Sequence, residues 1–221
     1  MKIGFCGVAG SGKDTAATFT GLPKYSFAGV LKDVCSTLFS WDRDALEGDT
    51  AESRQWRETV DPWWAEKLDI PKFTPRYALQ YLGTDVLRNH FHSDIWILAL
   101  ERKLPESFVI SDVRFENEIQ ILNSLGVHLV EIVKDVPPWY DDAISLTKQE
   151  VIDKWGVHPS EFSYLKPLKK SAHSYIVNKS SLEQLETNVK AICEVLSKGV
   201  LFSDLHSYSS KGQSVHQNSR G

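Results

Sequence analysis

A glycine-rich segment near the N-terminus spans residues 7–15 and has the sequence GVAGSGKDT. It follows a short apolar run at residues 3–6, which predicts a buried strand, and it precedes a segment of helical composition that ends at Gly21. The glycines allow consecutive backbone N–H groups to turn toward one anion, and the start of the helix adds partial positive charge. The segment therefore predicts a phosphate-binding loop between a strand and a helix, with an ordinary glycine-rich turn as the alternative.

The lysine and hydroxyl positions of this loop indicate what it would hold. Lys13 follows the last glycine directly and is expected to neutralise the β- and γ-phosphate oxygens of a nucleotide. The next residue, normally Ser or Thr, is Asp14, so Thr15 becomes the first choice for a hydroxyl on Mg²⁺. Asp14 either faces Mg²⁺ or its water shell, or is favoured in the first helical turn by the macrodipole, by about 0.3–1 kcal/mol. The expected cofactor-binding set is Gly10, Ser11, Gly12, Lys13, Asp14 and Thr15, with Thr15 and Asp14 on the metal side.

Composition excludes several classes of protein. The chain has 221 residues and a formal net charge of −4, which suits one α/β domain and gives no global indication of nucleic-acid binding. Its three cysteines, Cys6, Cys35 and Cys193, are too widely spaced for a disulfide framework or a zinc site. No apolar run approaches the length of a membrane span, and the first strand runs directly into the loop without a signal peptide. We therefore expect a cytoplasmic protein with no nucleic-acid or membrane partner.

Predicted strands alternate with predicted helices along the chain. After the first strand, strands are expected at residues 25–28, 108–112, 127–133 and 175–177. Helices are expected at residues 13–20, 30–38, 74–91, 117–125 and 181–196. This order is typical of the α/β class, in which a mostly parallel sheet is covered by helices on both faces to give three layers.

Two long segments interrupt the alternation. Residues 41–74 are rich in charge and hold four of the seven tryptophans, and residues 136–172 begin with two prolines and carry five lysines. Insertions of this length in an α/β domain usually form lids or substrate-binding arms. We interpret residues 1–198 as one domain, with a substrate-side insertion at 41–74 and a lid-like insertion at 136–172. The Ser-rich tail at 199–221 is expected to be disordered.

A second candidate binding face lies on the helix predicted over residues 74–91. Its members are Arg76, Gln80, Gly83 and Thr84. They fall at positions i, i+4, i+7 and i+8 and would share one side of that helix. Since a glycine within a helix costs about 1 kcal/mol relative to alanine, Gly83 suggests a close approach to the backbone. An amide suits a base edge and a guanidinium suits a phosphate, while a solvated face with an incidental glycine is the equal alternative.

A carboxylate closes the strand predicted at residues 108–112. Asp112 lies at the carboxyl end of this strand, where open α/β sheets place their ligands. Arg114, two residues on, could reach an anion in the same crevice, and Glu118 is one helical turn further. Asp112 would order Mg²⁺ through water, or orient a substrate hydroxyl or Arg114. Capping of a helix is its alternative role.

Four segments of the chain resemble those of one enzyme family. They are Ser11-Gly12-Lys13-Asp14-Thr15, Leu82-Gly83-Thr84-Asp85, Asp112-Val113-Arg114-Phe115 and His158-Pro159-Ser160-Glu161. In these segments the chain resembles the deoxynucleoside monophosphate kinases of tailed bacteriophages, a branch of the P-loop nucleoside monophosphate kinases. The resemblance extends over nearly all of residues 1–196. It implies that the γ-phosphoryl group of ATP is transferred, with Mg²⁺, to a deoxynucleoside monophosphate, which supplies precursors for DNA synthesis.

The resemblance also implies roles for individual residues. The catalytic groups would be Lys13, Arg76, Asp112 and Arg114. The residues around the acceptor nucleotide would be Arg76, Tyr77, Gln80, Gly83, Thr84, Trp96, Asp112, Arg114 and Glu118. Trp96 would stack on the base or wall it, and Tyr77 stands where the family often has a basic residue. His158 and Glu161 match a lid motif without an assigned role, and the oligomeric state stays open, with a homodimer as one option.

Two other functions stay open from the sequence. Another small-molecule kinase would share the P-loop and differ in its acceptor pocket, although the amide-bearing and aromatic acceptor side favours a nucleobase. A nucleotide-binding regulatory switch would read guanine with an Asn-Lys-x-Asp motif, but residues 178–181 are Asn-Lys-Ser-Ser and lack the carboxylate. Formation of a diphosphate product from a monophosphate would distinguish a kinase from such a switch.

Overall fold

Every strand pairing in the central sheet is parallel. In the computed structural model, which describes residues 1–171 and 173–198, the strands are β1 (Lys2–Cys6), β2 (Lys24–Tyr25), β3 (Phe108–Val113), β4 (His128–Val133) and β5 (His173–Val177). Their order across the sheet is β2-β3-β1-β4-β5, so β1 lies at the centre. Strands buried on both faces consist of nearly continuous apolar runs, which is why the sequence reveals them. The α/β class predicted from the sequence is confirmed.

Helices connect the strands and fill the two insertions. The α-helices are α1 (Lys13–Phe19), α2 (Phe27–Phe39), α3 (Ala51–Glu58), α4 (Pro62–Leu68), α5 (Pro75–Gln80), α6 (Ile95–Glu101), α7 (Glu116–Ser124), α8 (Tyr140–Ser145), α9 (Lys148–Trp155), α10 (Leu165–Lys169) and α11 (Leu182–Ser197). A π-helix (Tyr81–Phe91) continues α5, and a 3₁₀ helix spans Pro159–Glu161.

Both faces of the central strands β1, β3 and β4 are buried, which gives the three layers expected from the sequence. Ile3 and Phe5 of β1 pack in an apolar cluster with Leu185 of α11. Cys6 of the same strand belongs to the opposite cluster, which includes Ile119 of α7. Because successive side chains of a strand point to opposite faces, β1 contributes to both cores.

An aromatic cluster holds the insertion at residues 41–74 against α2. The ring of Phe39 lies 4.5 Å from that of Trp41 and 5.3 Å from that of Phe73, measured between centroids. The indole N–H of Trp41 donates to Asp61 Oδ2 at 2.8 Å, and Asp61 Oδ1 accepts the backbone N–H of Trp64 at the start of α4. The tryptophans that mark this segment in the sequence therefore serve largely to pack it.

The described part of the second insertion, residues 136–171, packs onto the main sheet. Phe162, Tyr164, Leu165 and Leu168 are buried and belong to the same apolar cluster as Ile119. A rigid-body opening of the whole segment would expose part of this core, at a cost of about 25 cal/mol for each Å² of apolar surface. Rotation of a single side chain at the edge of the segment exposes none of this core and has no such free-energy cost.

The strand predicted at residues 25–28 is wrong in its second half. β2 ends at Tyr25, and α2 begins at Phe27. The carboxylate of Asp112 accepts the backbone N–H groups of Phe27 and Ala28, each at 3.0 Å. A carboxylate at this place favours the start of a helix, because it satisfies donors that have no partner within the helix.

The single α-helix predicted over residues 74–91 is also corrected. Its first part is α5, but from Tyr81 the backbone forms a π-helix that ends at Phe91. The indole N–H of Trp96 donates to the carbonyl oxygen of Gly83 at 2.8 Å. A side chain that takes a carbonyl from the regular hydrogen-bond ladder is a recognised cause of such departures.

Within residues 1–171 and 173–198, no helix combines the length and apolar character that a membrane crossing requires. The tail predicted to be disordered, residues 199–221, lies outside the described residues.

Candidate functional site

The glycine-rich segment forms a tight loop between β1 and α1. Gly7 has a φ of 144°, and a Cβ atom there would lie 2.5 Å from the carbonyl oxygen of Ile132. Gly12 has a φ of 101°, and a Cβ atom there would lie 2.5 Å from Asn178 Nδ2. L side chains rarely adopt this left-handed backbone region, so only glycine suits these two positions.

One hydrogen bond from Asn178 and one within the segment hold the loop in this shape. Asn178, which follows β5, donates its side-chain N–H to the carbonyl oxygen of Ser11 at 2.8 Å. Lys13 is 6 % exposed, and its Nζ donates to the carbonyl oxygen of Val8 at 2.7 Å. The hydroxyl oxygen of Ser11 is buried and has no hydrogen-bond partner among the described residues. These contacts fix the backbone of a glycine-rich loop before a helix, which is the kind of backbone that can bind an anion.

Lys13 lies in an electrostatically crowded environment. Burial lowers the pKa of its ammonium group, and the nearby positive charge of Arg114 lowers that pKa further. The negative charges of Asp14 and Glu161 act in the opposite direction. The loop lysine, the arginine after β3 and a carboxylate from the 3₁₀ helix therefore share one electrostatic environment, as a site for several phosphate groups would require.

Asp14 ties three elements of the fold together. Its Oδ1 accepts a hydrogen bond from the hydroxyl of Ser111 in β3 at 2.7 Å and lies 2.7 Å from Lys24 Nζ in β2. Burial acts to raise the pKa of Asp14, but the hydrogen bonds from Lys24 and Ser111 outweigh it and hold that pKa below its ordinary value. The sequence left a metal-side role and a helix-dipole role open, and the structure adds this structural role.

The first turn of α1 carries the oxygen atoms that could serve a metal ion. Thr15 is exposed there, and it follows Asp14, whose carboxylate contacts Ser111 and Lys24. Within residues 1–171 and 173–198, no group of three or more His, Cys, Asp or Glu side chains could hold a metal by itself. Mg²⁺ usually takes only one or two protein oxygens and completes its shell with phosphate and water, so this pair fits Mg²⁺ better than a transition metal.

Arg114 reaches the P-loop through a bridging carboxylate. Its Nη1 lies 3.3 Å from Glu161 Oε1, and the other oxygen of Glu161 accepts the backbone N–H of Ala9 at 2.9 Å. Residues 9, 114 and 161 are distant in sequence, and the fold brings them to one place at the carboxyl ends of β1 and β3. Open α/β sheets bind their ligands at this edge.

Asp112 serves as the cap of α2. Burial raises the pKa of its carboxyl group, while the N–H groups of Phe27 and Ala28 and the charge of Arg114 oppose that shift. Both of its oxygens already accept backbone hydrogen bonds. The geometry therefore favours the capping alternative, and a part in catalysis stays a prediction.

Glu118 closes the start of α7. Its Oε2 accepts the backbone N–H groups of Arg114 and Phe115 at 2.8 and 3.0 Å, and its Oε1 lies 3.4 Å from Arg88 Nη2. Burial, and then the charge of Asp112, raise the pKa of Glu118 to about 7. Glu118 thereby fixes the backbone of the turn that carries Arg114. Direct contact between Glu118 and a substrate stays a prediction.

The predicted acceptor face divides into two parts. Arg76, Gln80 and Thr84 are exposed, with Arg76 Nε 3.2 Å from Glu58 Oε1 of the insertion. Gly83 is buried, and a Cβ atom on it would lie 2.5 Å from Leu31 Cδ2. The close approach inferred from this glycine is therefore real, but Leu31 is the approaching group. The prediction that all four residues share one helix face is therefore wrong for Gly83, because the number of residues per turn changes where the π-helix begins.

Aromatic residues near this face have different surroundings. Tyr77 is exposed and stacks on Tyr81, with ring centroids 5.7 Å apart and planes at 10°. Trp96 is 6 % exposed and bound to Gly83, so the geometry does not support its stacking on a base. Its role as a wall of the base pocket stays a prediction. Within residues 1–171 and 173–198, no hydrogen bond or ion pair joins Arg76, Gln80 or Thr84 to the P-loop.

Four residues of this region escaped the sequence reasoning. They are Lys24, Arg88, Ser111 and Asn178. Asn178 had a signal, since residues 178–181 partly match a guanine-reading Asn-Lys-x-Asp motif, yet its side chain donates to the P-loop carbonyl oxygen of Ser11. Lys24 and Ser111 contact Asp14 of α1, and Arg88 contacts Glu118 of α7. Local patterns do not reveal such contacts between elements. Glu161 was noticed as part of a motif, and the structure supplies its contacts.

Comparison with known proteins gives consistent results. A family model described as deoxynucleotide monophosphate kinase matches residues 64–149. A protein of Acanthamoeba polyphaga mimivirus, named provisionally as a deoxynucleotide monophosphate kinase, is 32 % identical over 208 residues, which cover 86 % of this chain and 94 % of the relative. The deoxynucleoside-5′-monophosphate kinase of Escherichia phage T5 is 26 % identical over 254 residues, which cover 88 % of this chain and 96 % of that protein.

Proposed function

The chain belongs to the deoxynucleotide monophosphate kinase family, and from this premise we propose that it transfers the γ-phosphoryl group of ATP to a deoxynucleoside monophosphate. The products would be ADP and a deoxynucleoside diphosphate, a precursor for DNA synthesis. One observation carries the proposal: Glu161 contacts both the P-loop amide of Ala9 and the guanidinium of Arg114. A donor phosphate on the loop and an acceptor phosphate on Arg114 would thus be close enough for in-line transfer.

We assign the donor phosphates to the loop N–H groups and to Lys13. The left-handed glycines, the clamp from Asn178 and the unpartnered hydroxyl of Ser11 support this assignment. Thr15 would hold Mg²⁺, with Asp14 close by or acting through water. When bound, Mg²⁺ would neutralise charge on the donor phosphates.

We assign the acceptor phosphate to Arg114 and the nucleoside to the exposed side of α5 and the π-helix. Arg76, Gln80 and Thr84 present a cation, an amide and a hydroxyl there, beside the stacked ring of Tyr77. These groups suit the polar edge and the flat face of a base. A π-helix is itself uncommon and often marks a functional site.

The proposed reaction needs no general base, because the acceptor is already a phosphate dianion. The protein instead has to align two anions and cancel their mutual repulsion together with the charge of the transferring group. Lys13, Arg76 and Arg114 would supply positive charge, and Arg102 or the lysines of residues 136–172 would add to it. Exclusion of water from the site would suppress hydrolysis of ATP.

We further propose that residues 1–198 act as one kinase domain. Residues 41–74 would form its acceptor-side insertion, and residues 136–172 its lid-like insertion, with motion limited to parts outside the shared core. The three cysteines are free in the structure, as expected for the reducing cytoplasm of a host cell. A homodimer remains one option for its assembly.

Product analysis tests the proposal. The protein would be incubated with ATP, Mg²⁺ and each common deoxynucleoside monophosphate or its ribonucleotide counterpart, and the nucleotides separated by chromatography. We expect equal amounts of ADP and a deoxynucleoside diphosphate for at least one acceptor, and no product with Lys13→Ala. Release of ADP and inorganic phosphate without a diphosphate product would contradict a kinase and favour a regulatory switch.

A further inference from the structure

Glu161 places a negative charge at the P-loop. Its Oε2 accepts the N–H of Ala9 at 2.9 Å, and its Oε1 lies 3.3 Å from Arg114 Nη1. The side chain is 25 % exposed, so water screens it only in part. A single carboxylate thus engages donors from both sides of the proposed transfer site.

The backbone on either side of Glu161 is held by local contacts. His158 Nδ1 accepts the backbone N–H of Ser160 at 3.2 Å at the start of the 3₁₀ helix. Phe162, the next residue after Glu161, is buried and packs against Trp139, with ring centroids 6.2 Å apart. The carboxylate can therefore leave the loop through rotation of its own side chain, with the backbone and the core unchanged.

A phosphate and this carboxylate would require the same donors. The N–H of Ala9 belongs to the loop that cradles the donor phosphates under the proposed function. The pKa of Lys13 is lowered by the charge of Arg114 and raised by that of Glu161, in agreement with the contacts of Glu161 to Ala9 and to Arg114. Two anions in one partly shielded place repel each other, and one N–H bond donates well to only one of them.

We propose that Glu161 is an internal substitute for a phosphate group, which competes with the donor polyphosphate for the N–H of Ala9 and with the acceptor phosphate for Arg114. This inference rests on the proposed function, because it takes the P-loop as the donor site. Without substrate, Glu161 would hold the loop and Arg114 in place. The donor would bind more weakly, because it must first displace the Glu161 carboxylate. Glu161 is a positioning residue that sets the affinity for the donor.

Calorimetric titration tests the competition. The titrants would be inorganic tripolyphosphate without Mg²⁺ and a β,γ-imido analogue of ATP with Mg²⁺. Glu161→Gln keeps the shape of the side chain and removes its charge, while Asp153→Asn removes one charge from the exposed surface of the same insertion. We expect Glu161→Gln to bind both titrants about tenfold more tightly than the original protein, the effect of about one charge-assisted hydrogen bond. Asp153→Asn should stay within about twofold, since isolated surface charges contribute little.

The amide resonance of Ala9 gives a second, direct readout. The resonance should move upfield in Glu161→Gln, because a charged acceptor is lost, and should be unchanged in Asp153→Asn. Addition of tripolyphosphate should bring the Ala9 resonances of the original protein and of Glu161→Gln together. Identical Ala9 resonances before this addition would overturn the proposal.

The outcomes separate this proposal from the function on which it rests. Equal or weaker binding by Glu161→Gln, while the original protein binds both titrants, overturns the competition and leaves the kinase function standing. Weaker binding of the Mg²⁺-containing analogue alone overturns it as well, and would place Glu161 on the metal side. Failure of all three proteins to bind either titrant overturns the donor site itself, and the competition falls with it.

Discussion

The carboxylate of Asp112, in β3, lies 3.0 Å from the backbone nitrogen of Phe27, the first residue of α2. Its second oxygen accepts the N–H of Ala28 at the same distance. A carboxylate at the edge where open α/β sheets bind ligands is thereby used to start a helix. Arg114, two residues further along the chain, forms an ion pair with Glu161, and Glu161 in turn accepts the P-loop N–H of Ala9.

Replacement of Asp112 tests its capping role. Asp112→Ala should lower the free energy of unfolding by about 2 kcal/mol, because two N–H groups at the start of α2 lose a charged acceptor. Urea titration followed by circular dichroism measures the change, and Glu106→Ala at an exposed position serves as the control. Unchanged stability together with lost turnover would instead place Asp112 at the substrate.

Replacement of Arg114 tests the transfer site. Arg114→Ala should reduce kcat by about a thousandfold or more, because it removes the positive charge that we propose holds the acceptor phosphate and the transferring group. The fold should persist, since the ion pair with Glu161 is partly exposed and such pairs contribute little to stability. Arg54→Ala, a change at an exposed arginine whose partners are backbone carbonyl groups of the insertion, is the control. A near-normal kcat in Arg114→Ala would remove this residue from the site.

The buried carboxyl group of Glu118 predicts a pH dependence of stability. Its pKa in the folded protein is raised to about 7, from an ordinary value of 4.5, so the folded state binds the proton more tightly than the unfolded state. The stabilisation from this proton is complete below the unfolded pKa and is lost as the pH rises through about 7.

Urea titrations at about pH 5 and about pH 8 measure this effect. The loss of unfolding free energy between the two pH values should be smaller in Glu118→Gln than in the original protein, by about 1–3 kcal/mol. The substitution also alters the ion pair between Glu118 and Arg88, at both pH values. The change in unfolding free energy between the two pH values is therefore compared, and not the value at one pH. The same pH-dependent loss in both proteins would show that Glu118 does not titrate in this range.

The contact between Asn178 and Ser11 predicts a selective effect on the donor. Asn178→Ala removes the hydrogen bond that holds the P-loop carbonyl group and should raise the KM for ATP about tenfold, with little change in the KM for the acceptor. Steady-state kinetics with each substrate varied in turn measures both constants. Asn123→Ala removes a comparable side-chain hydrogen bond, to Ser171, and should leave both constants unchanged. Equal increases in the two KM values would argue against a role confined to the loop.

Local patterns were sufficient for the P-loop and most of the sheet. The residues of the loop are consecutive, and Lys13 follows directly on the last glycine, so neighbouring residues carry the whole signal. The strands are apolar because helices cover both faces, and β1, β3 and β4 are recognisable from composition alone.

Long-range contacts decided what local patterns missed. The end of β2 depends on Asp112, which is 85 residues from Phe27 in sequence. In the π-helix, the carbonyl oxygen of Gly83 accepts a hydrogen bond from Trp96. In the sequence, Trp96 looks like any buried tryptophan, so nothing local predicts this bond. Glu161 meets Ala9 across 152 residues, so only the folded chain reveals that a carboxylate lies at the loop.

Transfer of a labelled phosphoryl group tests the central claim most directly. The protein would be mixed with Mg²⁺, a deoxynucleoside monophosphate and ATP that carries a radiolabel in its γ-phosphoryl group, and the label would be followed by thin-layer chromatography. The account predicts that the label appears in the β-phosphoryl position of a deoxynucleoside diphosphate as ATP is consumed. Label found solely in inorganic phosphate, or retained in ATP with every acceptor, would contradict it.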